Sequence, residues 1–120
     1  FGLGVNLGGV INGLQSFLPR MIAHGRGGHV VNTASLAAMT MMPGHLAIYA
    51  ASKAALDMLV SVYAAEVAHT GVRVNLYNPG PMRTGMRKEA FPGENPESVP
   101  LPNKSPGCKL QPFTVWWVTI

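Results

Sequence analysis

The sequence predicts an α/β architecture: a slice of a layered sandwich built on a parallel sheet. Three observations carry that expectation. Two short runs rich in β-branched residues, "HVVNTAS" at 29–35 and "VRVNLYN" at 72–78, have the length and composition of strands. A long apolar segment with helical spacing separates them, and another precedes the first run. Strands joined through a long helix run parallel in a right-handed crossover. Parallel strands require cover on both faces, so both are expected to be buried.

The elements follow in order. Residues 3–24 place Val5, Val10, Ile11, Leu14, Phe17, Leu18, Met21 and Ile22 near a helical period, and Gly25, Gly27 and Gly28 stop that helix. The strand at 29–35 comes next and ends on Ser35. A loop with Pro43-Gly44 leads into a second helix over 45–68, which stops near Gly71. The strand at 72–78 ends at Pro79-Gly80, a short helix is expected over 83–90, and a further strand over 113–119. The tail from residue 97 changes character, being proline-rich and then aromatic and β-branched.

Composition narrows the function. The chain has 120 residues, 48% of them hydrophobic, enough for one domain with a modest core. The net charge of +4 is scattered rather than gathered into a stripe, which speaks against nucleic acid. Residues 1–19 carry no charge, but Asn6, Asn12, Gln15 and several glycines interrupt them, so neither a leader nor a membrane span is expected. Cys108 is the single cysteine, which fits a reducing, cytoplasmic setting. The four histidines lack metal-ligand spacing, and no metal is expected. With no G-x-S-x-G, a hydrolase built on Ser35, His45 and Asp57 has no motif behind it.

The segment "HLAIYAASKAALDML" at 45–59 places a phenol and an ammonium, Tyr49 and Lys53, one turn apart on a helix that otherwise looks made for burial. Ligands in open parallel sheets bind beyond the carboxyl ends of the strands. Ser35, Asn78-Pro79-Gly80 and the start of the tyrosine helix all fall there. Taken singly, each has a plain explanation. Tyr49 fits a core rim, Lys53 and Asp57 fit a surface ion pair, Ser35 a helix cap, Asn6 a solvent-facing residue, and Pro79-Gly80 a turn. "GLGVNLGG" at 2–9 is no phosphate loop, since Leu7 stands where the last glycine of G-x-G-x-x-G belongs and no strand precedes it. It reads as a glycine-rich helix face.

Taken together, "VNLGG" at 5–9, "HVVNTAS" at 29–35, "YAASK" at 49–53 and "VNLYNPGPMRT" at 74–84 resemble the short-chain dehydrogenase/reductases in order and spacing. The resemblance implies a Rossmann-like, doubly wound parallel sheet, incomplete here because the cofactor-binding strands would lie upstream of Asn6. It implies a partial catalytic region over 1–96 and a divergent tail over 97–120. By the same resemblance, Tyr49 is the catalytic acid/base and Lys53 binds the nicotinamide ribose and eases ionisation of the phenol. Ser35 holds the reacting oxygen, and Asn6 holds a water in the proton relay. Pro79, Gly80 and Thr84 lie along the nicotinamide of NAD or NADP. The substrate would be a small alcohol or ketone, and Met39, Met41 and Met42 are either adaptable packing or a wall of its pocket. The helices at 3–24 and 45–68 would form the interface of a homodimer or homotetramer.

Two other readings follow from the same chain. A truncated, catalytically inactive fragment would serve at most as an oligomerisation partner, and this chain alone is expected to bind cofactor poorly. A basic module for acidic partners rests only on the net charge.

Overall fold

The computed structural model describes residues 2–41 and 46–104. The chain divides into two compact units, the first running to Tyr77 and the second beginning at Asn78. Met42 and the strand expected over 113–119 lie outside the described residues.

In the first unit a π turn, Gly4–Gly8, leads into helix α1, Gly9–His24. Gly25 ends the helix in the left-handed region at φ 69°, and its N–H returns to the Ile22 carbonyl at 3.1 Å. A glycine takes that conformation without the Cβ clash other residues would meet. Strand β1 is Gly28–Thr33, helix α2 is Ala47–Glu66, and strand β2 is Val72–Tyr77. The strands pair in parallel, from Gly28 opposite Val72 to Thr33 opposite Tyr77. Where they begin, Gly27 sits so close to Gly71 that a Cβ on Gly27 would meet the Gly71 carbonyl oxygen at 2.8 Å.

The core of this unit is one apolar cluster: Leu14 and Leu18 from α1, Leu56 and Val60 from α2, Val67, and Val72 and Val74 from β2. Leu14 and Leu18, and likewise Leu56 and Val60, are four apart, the spacing that puts both on one helix face. In β2, Val72 and Val74 are buried while Arg73 between them is exposed. That alternation marks a sheet covered by helices on one face only.

The expectation that both strands are buried therefore holds in part. β1 buries only Asn32, and Val31 is 41% exposed. The physical reason is that the sheet has two strands among the described residues, so β1 has a neighbour on one edge and helices over one face. The Asn32 side-chain nitrogen is buried with no hydrogen-bond partner among the described residues. Helix α2 ends two residues earlier than expected, where Thr70 donates to the Val67 carbonyl at 2.7 Å and accepts the Val72 N–H at 3.1 Å. By length and mean hydropathy, 1.2 over its most apolar window, α2 could cross a bilayer. Its buried positions nonetheless include Ser52 and Lys53 and pack against protein.

In the second unit the described elements are helix α3, Gly85–Ala90, and two single turns, Pro96–Ser98 and Pro102–Lys104. Backbone and side chain of Arg83 reach the carbonyls of Pro100, at 2.8 Å, and Val99, at 3.4 Å, so the segment folds back on itself.

Leu56 is 1% exposed at the centre of the first core. Leu56→Ala is expected to lower the unfolding free energy by about 2–5 kcal/mol, read by urea denaturation. Met58→Ala, at a position 67% exposed, should change it by less than about 0.5 kcal/mol.

Candidate functional site

Lys53 is the organising residue. A lysine stem of this length usually carries its charge to solvent, yet Lys53 is only 9% exposed. Its Nζ donates to the Thr33 carbonyl at 2.7 Å, which fastens α2 to the carboxyl end of β1. The same Nζ lies 5.9 Å from the centre of the half-buried Tyr49 ring. The helix thus delivers phenol and ammonium together, at the end of the strand where a parallel sheet presents its ligand crevice.

The plain alternative for Lys53, an ion pair with Asp57, is not formed. Among the described residues the one ion pair is Arg87–Glu94. Asp57 is partly buried, and its Oδ1 has no hydrogen-bond partner among those residues. Burial pushes its carboxyl above the usual carboxylate range, and the charge of Lys53 opposes that shift more weakly. An ammonium has three N–H donors. Lys53 spends one on Thr33 and holds no carboxylate, so hydroxyls of a ligand can take the others.

Ser35 lies two residues beyond Thr33. The strand ladder stops at Thr33, although Ala34 still donates to the Tyr77 carbonyl at 2.8 Å. Ser35 is therefore past the strand rather than its last residue. Its backbone is extended, and its hydroxyl accepts the Ala37 N–H at 3.2 Å, capping the single turn Leu36–Ala38. A hydroxyl that accepts in one bond keeps its proton for another. Beyond this turn Met39 and Met41 stand exposed.

Asn6 reaches the site indirectly. It sits in the middle of the π turn, and its side-chain amide donates to Ser52 Oγ at 3.1 Å. Ser52 Oγ in turn donates to the Tyr49 carbonyl at 2.7 Å. π turns inside helices occur often at functional sites. The stretch "GLGVNLGG" is thus helical at its centre, in keeping with a helix face rather than a phosphate loop. Ser52 was not singled out by sequence reasoning. The available signal was a small hydroxyl on the buried side of α2, immediately before Lys53.

The remaining expected residues belong to the second unit. Gly80 adopts φ 72°, and Asn78 Oδ1 accepts its N–H at 3.1 Å, forming a tight turn after Pro79. Thr84 is extended and its hydroxyl accepts the Arg87 N–H at 3.2 Å, so it caps α3. Arg87 grips Glu94 through two bonds, at 2.8 and 2.7 Å, and stacks over the Phe91 ring at 4.3 Å. The bond from Arg87 holds the Glu94 carboxyl below its ordinary range. No group of three potential metal ligands occurs among the described residues.

Comparison with known proteins bears on the family and the fold. The profile of the short chain dehydrogenase family matches residues 3–95. The probable oxidoreductase EphD of Mycobacterium tuberculosis strain H37Rv is 40% identical over 84 residues, which are 70% of this chain and 14% of that protein. The oxidoreductase yciK of Escherichia coli superposes with a TM-score of 0.74 at 34% identity, over 83% of this chain and 40% of the other. A short chain dehydrogenase from Shigella flexneri 2a strain 301, complexed with NADP, gives 0.74 at 33% identity, over 83% and 41%. The chain thus spans less than half the length of each of these relatives.

Asp57 supplies a pH test. Its folded pKa lies above the ordinary value of 3.8, so the ionised form costs the folded state stability. That cost is absent below the ordinary value and complete once pH has risen past the folded one. Asp57→Asn should therefore be more stable than the parent at about pH 7, and the difference should vanish near about pH 3. Urea unfolding midpoints at the two pH values check it.

Proposed function

Since the chain belongs to the short chain dehydrogenase family, we propose that its Tyr49–Lys53 turn is the acid/base centre of an oxidoreductase that interconverts an alcohol and a ketone with NAD or NADP. The observation that carries the reading is the buried ammonium of Lys53, held at the carboxyl end of β1 beside the Tyr49 ring. A lysine placed there for stability alone has weak grounds. Desolvating an ammonium costs several kcal/mol, and an apolar residue of similar volume commonly serves a core as well or better.

Bound nicotinamide would supply or accept the hydride at the substrate carbon. The chain's own residues handle the oxygen. Tyr49 exchanges a proton with it, acting as acid in reduction and as base in oxidation. Ser35, its hydroxyl proton left available by the Ala37 bond, steadies the same oxygen. Lys53 has donors to spare for the ribose hydroxyls. Asn6 supports the proton relay from the π turn. Pro79, Gly80 and Thr84 form the segment that lies along the nicotinamide. The NADP held by the Shigella relative supports this choice of cofactor. We assign residues 1–96 to the catalytic region and 97–120 to a separate tail. The setting is cytoplasmic, in keeping with a lone cysteine, and the faces of α1 and α2 turned away from the core form a homodimer or homotetramer.

The test is hydride transfer to or from NAD and NADP with a panel of secondary alcohols and ketones, on the protein as the cell makes it. Tyr49→Phe is expected to lower kcat by about 10²- to 10⁴-fold. Lys53→Met should lower activity similarly while unfolding stability stays within about 1 kcal/mol of the parent or rises. Undiminished turnover by Tyr49→Phe would sink the reading.

A further inference from the structure

Ser52 is the one polar side chain of α2 with no exposed surface at all. It sits between the two residues proposed for chemistry, three after Tyr49 and one before Lys53. A serine inside a helix often donates to the carbonyl three or four residues back, and such a bond by itself signifies little. Here the hydroxyl is also an acceptor, because Asn6 Nδ2 donates to it at 3.1 Å. A hydroxyl has one proton. With the amide on the acceptor side, that proton goes to the Tyr49 carbonyl at 2.7 Å. The result is a directed chain from the π turn through Ser52 to the peptide of Tyr49.

That peptide is a sensitive place to hold. By the helical pattern, the Tyr49 carbonyl is also the acceptor of the Lys53 backbone N–H. A second donor at the same oxygen bends a helix locally. A bend there would set the angle between the turn bearing the phenol and the turn bearing the ammonium. Because Ser52 is fully buried, solvent has no access to replace its hydroxyl.

We infer that Ser52 is a positioning residue: it transmits the placement of Asn6 to the Tyr49 peptide and thereby fixes the phenol relative to the Lys53 ammonium. The kinetic half of this inference rests on the oxidoreductase reading, and the geometric half does not. It makes Asn6 a bracket as well as a member of the site. Its side chain works through Ser52.

Two readouts on the parent and Ser52→Ala separate positioning from packing. In the first, the chain is labelled with ¹³C at the tyrosine ring carbon bearing oxygen and its three tyrosines, Tyr49, Tyr63 and Tyr77, are followed by NMR. The expected result is that the Tyr49 signal moves while those of Tyr63 and Tyr77 stay in place. A Tyr49 signal that does not move, or three signals that move alike, overturns the inference. In the second, kcat for hydride transfer by the protein as the cell makes it should fall by about 10²-fold, the cost typical of a small misplacement of a reacting group, with KM little changed. A rise in KM at constant kcat overturns it. Should Ser52→Ala fail to fold, Asn6→Ala, at a half-buried position, takes its place in the NMR measurement. A shift of Tyr49 alone then supports the inference, and any other pattern overturns it. If Tyr49→Phe turns over normally, the acid/base role of Tyr49 falls, and the NMR result still decides the role of Ser52.

Discussion

The bond from the Lys53 ammonium to the Thr33 carbonyl is the constraint on which the first unit's functional geometry depends. It joins the start of the long helix to the end of the first strand. Those two places are twenty residues apart, and the apolar core at Leu14, Leu18, Leu56 and Val60 lies further along the helices. Hydrophobic burial is non-directional. It can press α2 onto the sheet, but it cannot choose which turn of the helix meets the end of β1. A hydrogen bond from a charged donor is directional, and can. The lysine thus acts as a fastener and as a source of positive field in one group.

Much of this arrangement was legible in the sequence, for physical reasons that differ between elements. The helices were visible because Leu14–Leu18 and Leu56–Val60 repeat at the period of the backbone. Both strands were visible because β-branched runs between glycines have few other uses. The depth of β1 was not legible: burial depends on how many strands flank it, and a run such as "HVVNTAS" says nothing about its neighbours. Nor did spacing decide the partner of Lys53. Asp57 is one turn away and opposite in charge, and the side chain turned instead to a backbone carbonyl that no pattern announces. Boundaries moved by one or two residues where side chains intervene, as at Thr70 and Thr84.

Among the site residues, Tyr49 and Lys53 were found because their pairing on one helix face is a chemical oddity in an apolar setting. Ser52 escaped because a serine among alanines looks like filler. Its importance lies in three-dimensional bonds to a turn forty-six residues away. The family resemblance pointed to Asn6, yet it did not foretell how the side chain is used. Pro79, Gly80 and Thr84 show the opposite case. Their local conformations, a left-handed glycine and an extended threonine cap, are what a Pro-Gly-x-x-x-Thr run leads one to expect.

The glycine pair at the head of the sheet has a consequence of its own. Gly27 and Gly71 touch backbone to backbone immediately before β1 and β2 begin. With Val72 and Val74 buried and Arg73 exposed between them, β2 has a hydrophobic preference for one alignment. The close approach of the two glycine backbones marks the same register at the head of the ladder. A one-residue slip from that mark would turn Val72 and Val74 outward and Arg73 inward. It would also carry the Thr33 carbonyl out of reach of the amine it receives. Fidelity of the chemistry at one end of the sheet is in this sense secured at the other, by two positions that have no side chain.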